Sequence, residues 1–229
     1  HVKAVMWRLD SPGGECLAPA EIYRAIRNSQ TNSPNAKPVV ASMGNFAASG
    51  GYYVSSPCRW IVANEFTITG SIGVIMHTWN YRGLMTKIGL KPEVYKSGKF
   101  KDMLSGERNP EEIPPEERAM VQALIDETYS RFKTIVAEGR NFARDLNGSK
   151  GKALARDWLD YADGRILSGT KAFELGFVDQ VGTFQDAVEQ ARRIAGITEA
   201  NLVHYQQRYD LSDLFRLFGK SQAPVVKVD

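Results

Sequence analysis

The 229-residue sequence predicts an α/β protein organised on a largely parallel sheet. Three observations predict it. Short apolar runs alternate with segments of helical spacing, and Gly- and Pro-rich breaks separate them. A long amphipathic stretch over residues 115–144 repeats Met120, Ala123, Leu124, Thr128, Phe132, Ile135 and Val136 at the spacing of one helix face.

The elements follow in order. Residues 2–9 read as a first strand, stopped by the turn signal Asp10-Ser11-Pro12-Gly13-Gly14. Residues 19–30 read as a helix with Ile22, Ala25 and Ile26 on a shared face, and 32–37 as a polar loop. The apolar run 38–43 is a buried strand, and the small, Gly-rich 44–51 leads into a helix over 50–56 that Pro57 ends. A strand is expected over 60–63, and a turn running into a strand over 69–76. A helix over 81–88 is stopped by Gly89, and a strand follows over 92–96. Residues 96–115 are polar, with Gly and Pro throughout, and read as an exposed loop. After the long helix come a helix over 183–195 and a strand over 202–205, while the tail 220–229 is expected to be mobile. A single domain over 1–229 is expected. Its start inside a strand points to a lead-in before residue 1.

Composition narrows the function. Hydrophobic residues make up 43% and charged residues 24%, the balance of a globular domain able to bury a core without staples. The 29 basic and 26 acidic residues leave a net charge of +3 with no long Lys/Arg run, which argues against a nucleic-acid partner. Cys16 and Cys58 make no disulfide framework and show no zinc-site spacing, and a bridge between them has no support. No run of 18 apolar residues and no signal peptide is present in the sequence.

Two stretches carry chemistry. In Ser11-Pro12-Gly13-Gly14, successive glycines permit backbone N–H groups to face a cavity and hold a developing oxyanion; an ordinary strand-to-helix turn would look the same. In Ala47-Ala48-Ser49-Gly50-Gly51-Tyr52-Tyr53, small residues flank a serine between a strand and a helix. That suits either an exposed nucleophile or a helix N-cap. A nucleophilic serine needs a base. Among His1, His77 and His204, His77 is the serious candidate, although a surface residue at a strand end is the favoured reading of it. The alternative is a lysine, whose ordinary pKa of about 10.4 must fall. A drop of about 3 units corresponds to roughly 4 kcal/mol against the charged form, so only a dry site would serve. Spacing alone does not choose the lysine.

Five motifs in order and spacing resemble the signal peptide peptidase A (protease IV) family: the Ser-Pro-Gly-Gly turn; Ser42-Met43-Gly44 through Ala47-Ala48-Ser49-Gly50-Gly51-Tyr52-Tyr53; Thr69-Gly70-Ser71-Ile72-Gly73-Val74; Lys96-Ser97-Gly98-Lys99-Phe100-Lys101-Asp102; and Asp163-Gly164-Arg165-Ile166-Leu167-Ser168-Gly169 with Gly176-Phe177-Val178-Asp179. The resemblance covers nearly the whole chain except the tail. It implies a ClpP/crotonase-like fold of ββα units, with Ser49 as nucleophile, Lys101 as general base and Ser71 orienting that lysine. It also implies that the N–H groups of Gly13 and Gly50 form an oxyanion hole. Neither metal nor cofactor is implied. Family members form homo-oligomeric rings or domes, are anchored to the cell membrane by an N-terminal segment absent here, work outside the cytoplasm and degrade signal peptides and other apolar peptides.

The absence of the family's N-terminal anchor and first strands is one departure and His77 is another, and two rivals to Lys101 as base stay open. His77 lies where the related ClpP proteases place a triad histidine, and Lys99 would share a face with Lys101 in an extended segment. A crotonase-like acyl-CoA enzyme, a catalytically silent scaffold in a membrane assembly and a capsid-processing protease with the same dyad are the rival functions.

Overall fold

A computed structural model describes residues 2–31 and 34–205. Residues 2–198 lie in one compact unit; in the second unit, the described residues 199–205 carry neither helix nor strand. The strand expected over 202–205 is therefore absent, and the tail 220–229 lies outside the described residues.

Strand β2 (Val39–Ala48) is the axis of the sheet. Its run Val39 to Met43 is buried on both faces, as an apolar strand inside a parallel sheet must be. Strand β1 (Val5–Ser11) pairs parallel along one edge, Val5 opposite Val39 and Leu9 opposite Met43. Along the other edge run β3 (Trp60–Ala63), parallel to the first half of β2, and β4 (Ile68–Gly70), parallel to its end. Strand β5 (Ile166–Ser168) adds antiparallel to β4, and β6 (Gln180–Val181) parallel to β3. The expected α/β class is the one the chain adopts.

Alternation along the strands sends side chains to two layers. Val39, Ala41, Met43, Ile61 and Ala63 join Tyr52, Phe132, Val136 and Phe177 in the larger core, under helices α1 (Leu17–Thr31), α2 (Gly50–Ser55) and α4 (Pro115–Leu146). Val40 and Val62 face the other way, onto Ala187 and Ala191 of α6 (Phe184–Ala195). Burying each of these valines contributes roughly 1.5–3 kcal/mol. Helix α6 starts with a capping box, Thr183 with Asp186, and ends at Gly196 in the left-handed conformation. The shorter helices α3 (Arg82–Lys87) and α5 (Gly169–Glu174) complete the set, and Ser168 caps α5 by accepting from the N–H of Lys171.

Three departures from expectation have physical causes. The strand expected over 69–76 ends at Gly70, because Gly70 (φ 73°) and Ser71 (φ 50°) both take the left-handed region and turn the chain out of the sheet. No strand forms over 92–96; its Val94 and Tyr95 are exposed, so that apolar spacing marks surface and not core. The turn expected from Asp10 begins later, since β1 continues to Ser11. Cys16 is exposed and Cys58 buried, and both are free thiols. No helix among the described residues is long and apolar enough to cross a membrane.

Candidate active site

The site begins with an irregularity in the sheet. Leu9 pairs with Met43 and Ser11 with Ala47, so β2 spends four residues where β1 spends two. The bulged segment is held from three sides. The Asp10 carboxylate accepts the N–H of Phe46 at 2.9 Å, the Thr67 hydroxyl donates to the Gly44 carbonyl at 2.8 Å, and the buried Thr69 hydroxyl donates to the Ala47 carbonyl at 2.6 Å. These contacts aim the end of β2, and Ser49 with it. Sequence reasoning did not single out Asp10, Thr67 or Thr69, whose partners lie 22 to 36 residues away.

Ser49 sits between β2 and α2 at φ 53°, ψ −121°, a conformation ordinarily left to glycine. Its N–H donates to the Gly70 carbonyl at 2.9 Å, and its carbonyl accepts from Tyr53 at 2.9 Å. Its side chain makes no capping bond to α2. The N-cap reading of this serine is thus set aside: the backbone is pinned at both ends while the hydroxyl stays available.

Ser49 lines two adjoining clefts of about 720 Å³ and about 390 Å³, which also share Gly14, Gly73, Val74 and Ile75. Ser71 lines the larger cleft beside it and is tied to the Arg165 carbonyl through its own N–H at 2.8 Å. Gly50 lines the smaller cleft. The N–H of Gly13 donates to the Ser11 hydroxyl at 3.2 Å, whereas the N–H groups of Gly14 and Gly50 have no partner among the described residues. Gly13 lies behind the serine: a Cβ there would stand 2.7 Å from Ser49 Cβ, 2.9 Å from the Gly50 nitrogen and 3.0 Å from the Ala48 oxygen, at φ 106°. Replacing Gly13 by alanine is therefore expected to displace Ser49 and slow any reaction at its hydroxyl by about 10²-fold, with a stability loss of about 1–3 kcal/mol. Steady-state rates and a thermal melt check both; a wild-type rate would show that Gly13 does not set the position of Ser49.

Helix α4 forms the far wall. Gln122, Ile125, Asp126 and Tyr129 line the larger cleft, while Leu124, Thr128, Arg131 and Phe132 line the smaller. The loop before β5 closes the larger cleft with Asp163 and Gly164. It is held by the Tyr129 hydroxyl, which donates to the Ala162 carbonyl, and by an Arg165–Asp163 ion pair at 2.6 Å. Hydrogen bonds from Arg165 draw the Asp163 carboxyl down to about 2. Gly73 lies so close to Gly164 that a Cβ on it would come within 2.9 Å of the Gly164 Cα. Two motifs more than 90 residues apart thus meet at the cleft.

The segment that carries the expected base lies elsewhere. Lys101 is exposed in a turn and does not line either cleft at Ser49. His77 is likewise exposed and outside both. The three lysines of the Lys96 to Asp102 motif differ in their partners. Lys96 pairs with Asp102 at 2.8 Å and Lys99 with Glu116 at 2.5 Å, while the Lys101 side chain has no hydrogen bond or ion pair among the described residues. Lys96 and Lys99 are thus each engaged by a carboxylate, and Lys101 is not. The structure brings Ser49, Ser71, Gly14 and Gly50 together, and leaves Lys101 apart.

Comparison with known proteins places these features. The pattern described as peptidase family S49 matches residues 32–198. The chain is 45% identical over 194 residues (85% of this chain, 64% of the relative) to a putative protease, slr0021, of Synechocystis sp.. It is 38% identical over 205 residues (90% and 55%) to a putative signal peptide peptidase SppA of Enterococcus faecium, and 34% identical over 213 residues (93% and 32%) to protease 4 of Salmonella typhi. The chain thus spans between about a third and two thirds of the length of these relatives. Similar solved structures include a ClpP1 mutant from Listeria monocytogenes (TM-score 0.43, 14% identity, covering 81% of this chain and 77% of that one). A membrane-bound stomatin-specific protease, 1510-N, is also similar (0.44, 16%, covering 82% and 69%).

Proposed function

The chain belongs to peptidase family S49, and from that premise we propose that it is a serine endopeptidase in which Ser49 attacks the scissile carbonyl and Lys101 serves as base. The observation that carries the nucleophile is the strained, uncapped Ser49 in a cleft beside two open backbone amides. Gly14 and Gly50 supply the oxyanion N–H groups in this reading. Gly13 instead shapes the turn, since its own N–H is engaged by Ser11.

Neutral Lys101 removes the Ser49 proton, the alkoxide adds to the carbonyl, and the protonated amine then gives its proton to the leaving nitrogen. Water resolves the ester, with Lys101 again as base and Ser71 orienting it. Ser71 lines the same cleft as Ser49, which supports a seat for the lysine there. Lys101 must reach that seat by movement of its segment or from a second copy of the chain. Residues 75–104 favour the second route: Ile75, Trp79, Leu84, Ile88, Leu90 and Tyr95 are exposed, an apolar surface suited to a homo-oligomer.

Substrates are extended, apolar peptides with small residues near the cut, signal peptides among them. Gly14, Gly50 and Gly73 leave room for a peptide backbone, and Leu124, Phe132, Val74 and Ile75 make an apolar wall. In the whole protein the domain works at the cell membrane, on its outer side.

A fluorophosphonate probe followed by intact mass is the test. One adduct on wild type and none on Ser49→Ala is expected, which also separates the peptidase from an acyl-CoA enzyme that has no nucleophilic serine. Lys101→Ala is expected to lose turnover with the fold intact, and His77→Ala to keep it; the reverse result moves the base to His77.

A further inference from the structure

We infer that Arg108 is a positioning residue for the proposed base, joining the loop that carries Lys101 to the helix that walls the cleft. The inference rests on the reading of Lys101 given above. Arg108 Nη1 donates to both carboxylate oxygens of Glu117, at 2.6 and 2.8 Å, and its Nε lies 3.5 Å from Asp102 Oδ2. The other Asp102 oxygen takes the Lys96 ammonium at 2.8 Å, and that ammonium also donates to the Lys99 carbonyl at 3.2 Å. A line of alternating charge, Glu117, Arg108, Asp102 and Lys96, thus runs from the first turn of α4 to the residue next to Lys101.

Burial distinguishes this line from an ordinary surface pairing. The side chains of Glu117, Asp102 and Arg108 are 3%, 12% and 14% exposed. The neighbouring Lys99–Glu116 pair is more than 60% exposed on both sides, where such pairs do little. A carboxylate as enclosed as Glu117 has little water to bind it, so Arg108 is its main partner, and the planar guanidinium suits it better than an ammonium would. Glu117 and the wall residues Gln122, Ile125, Asp126 and Tyr129 stand on one continuous helix. The line therefore fixes the Lys101 loop to the body that holds the substrate. A loop fixed in this way serves the second-copy route: the lysine reaches the Ser49 of a neighbouring chain on a rigid support, which is what a base needing sub-ångström placement requires.

The test is steady-state kinetics of the 229-residue chain on an extended Ala/Leu peptide with a fluorogenic amide, together with a double-mutant cycle. Glu117→Gln keeps the shape of its side chain, Arg108→Gln removes the guanidinium, and the double variant removes both charges of the pair while Asp102 keeps Lys96, so folding is checked on all three by thermal melt. Each single variant is expected to lower kcat between about tenfold and 10²-fold with KM within about twofold. The double variant should be no slower than the slower single, the signature of residues acting as one unit. Arg108→Lys should recover part of the loss. Folded variants with wild-type kcat, losses that multiply in the double variant, or a change in KM alone would overturn the assignment. A Lys101→Ala chain that turns over at the wild-type rate would instead remove the base reading itself, and that result is distinct from any of these.

Discussion

Replacing Ser49 by glycine is expected to abolish peptide cleavage and yet to leave a protein more stable than the alanine variant. The activity loss follows from removing the nucleophile, an effect of roughly 10⁴- to 10⁶-fold on kcat in serine proteases. The stability order is the unusual part. Glycine is ordinarily the less stabilising residue, by roughly 0.5–1 kcal/mol relative to alanine, because the unfolded chain gains freedom. At φ 53°, ψ −121° the balance reverses: a Cβ is crowded against its own backbone, at a cost of about 1–3 kcal/mol that alanine keeps and glycine removes. The conformation is maintained because the N–H of Ser49 is bound to Gly70 and its carbonyl to Tyr53, while the bulge behind it is clamped by Asp10, Thr67 and Thr69. The expected ranking is Ser49→Gly above Ser49→Ala by about 1 kcal/mol in urea unfolding. The opposite ranking would mean that the serine is not strained, and cleavage by either variant would mean that it is not the nucleophile.

That strain also shows where sequence reading reaches its limit. Strand β3 and helices α2 and α4 were legible because their signals are local: a short apolar run, a proline stop, a repeat on one face. Strands β5 and β6 were not, having three and two residues, too few for any period to register, and existing only because β4 and β3 offer an edge. At the site, small neighbours marked Ser49, but only its dihedral angles separate a nucleophile from a cap. Gly13 and Gly14 are identical as letters; what divides them is the hydroxyl of Ser11, which engages one N–H and leaves the other open. The lysines at 96, 99 and 101 share a motif and differ by partners on other turns and on α4. The place of Lys101 away from the cleft was equally illegible, since nothing in its spacing reports which body its loop packs against.

Deleting one half of the buried pair Arg140–Asp179 is expected to have the largest effect on stability. Arg140 on α4 reaches Asp179 at 2.5 Å and the Gly176 carbonyl at 3.3 Å, both side chains being buried. Asp179 in addition accepts the N–H of Ile61 at 2.9 Å and of Lys152 at 3.0 Å. Asp179→Ala thus leaves a buried guanidinium without its counter-charge and two backbone donors without acceptors, whereas Arg140→Met leaves a carboxylate still bound by two N–H groups. A loss of about 3–5 kcal/mol is expected for the first, and a smaller one for the second. Out of a typical total of about 5–15 kcal/mol, the first alone brings a domain near its threshold. The consequence extends to the site, because the Tyr52 hydroxyl of α2 donates to the Phe177 carbonyl, two residues before Asp179, at 2.8 Å. Helix α2 begins one residue after Ser49, so loosening the 176–179 turn loosens the floor on which the nucleophile stands. Urea unfolding of the two single variants and of Arg140→Met/Asp179→Leu decides the matter. The double variant should be more stable than Asp179→Ala, since both leave the two N–H groups without an acceptor but only Asp179→Ala also leaves an unpaired buried charge. Equal losses for both single variants, or a double variant that loses the sum of both, would mean that the pair is not the coupled unit its geometry describes.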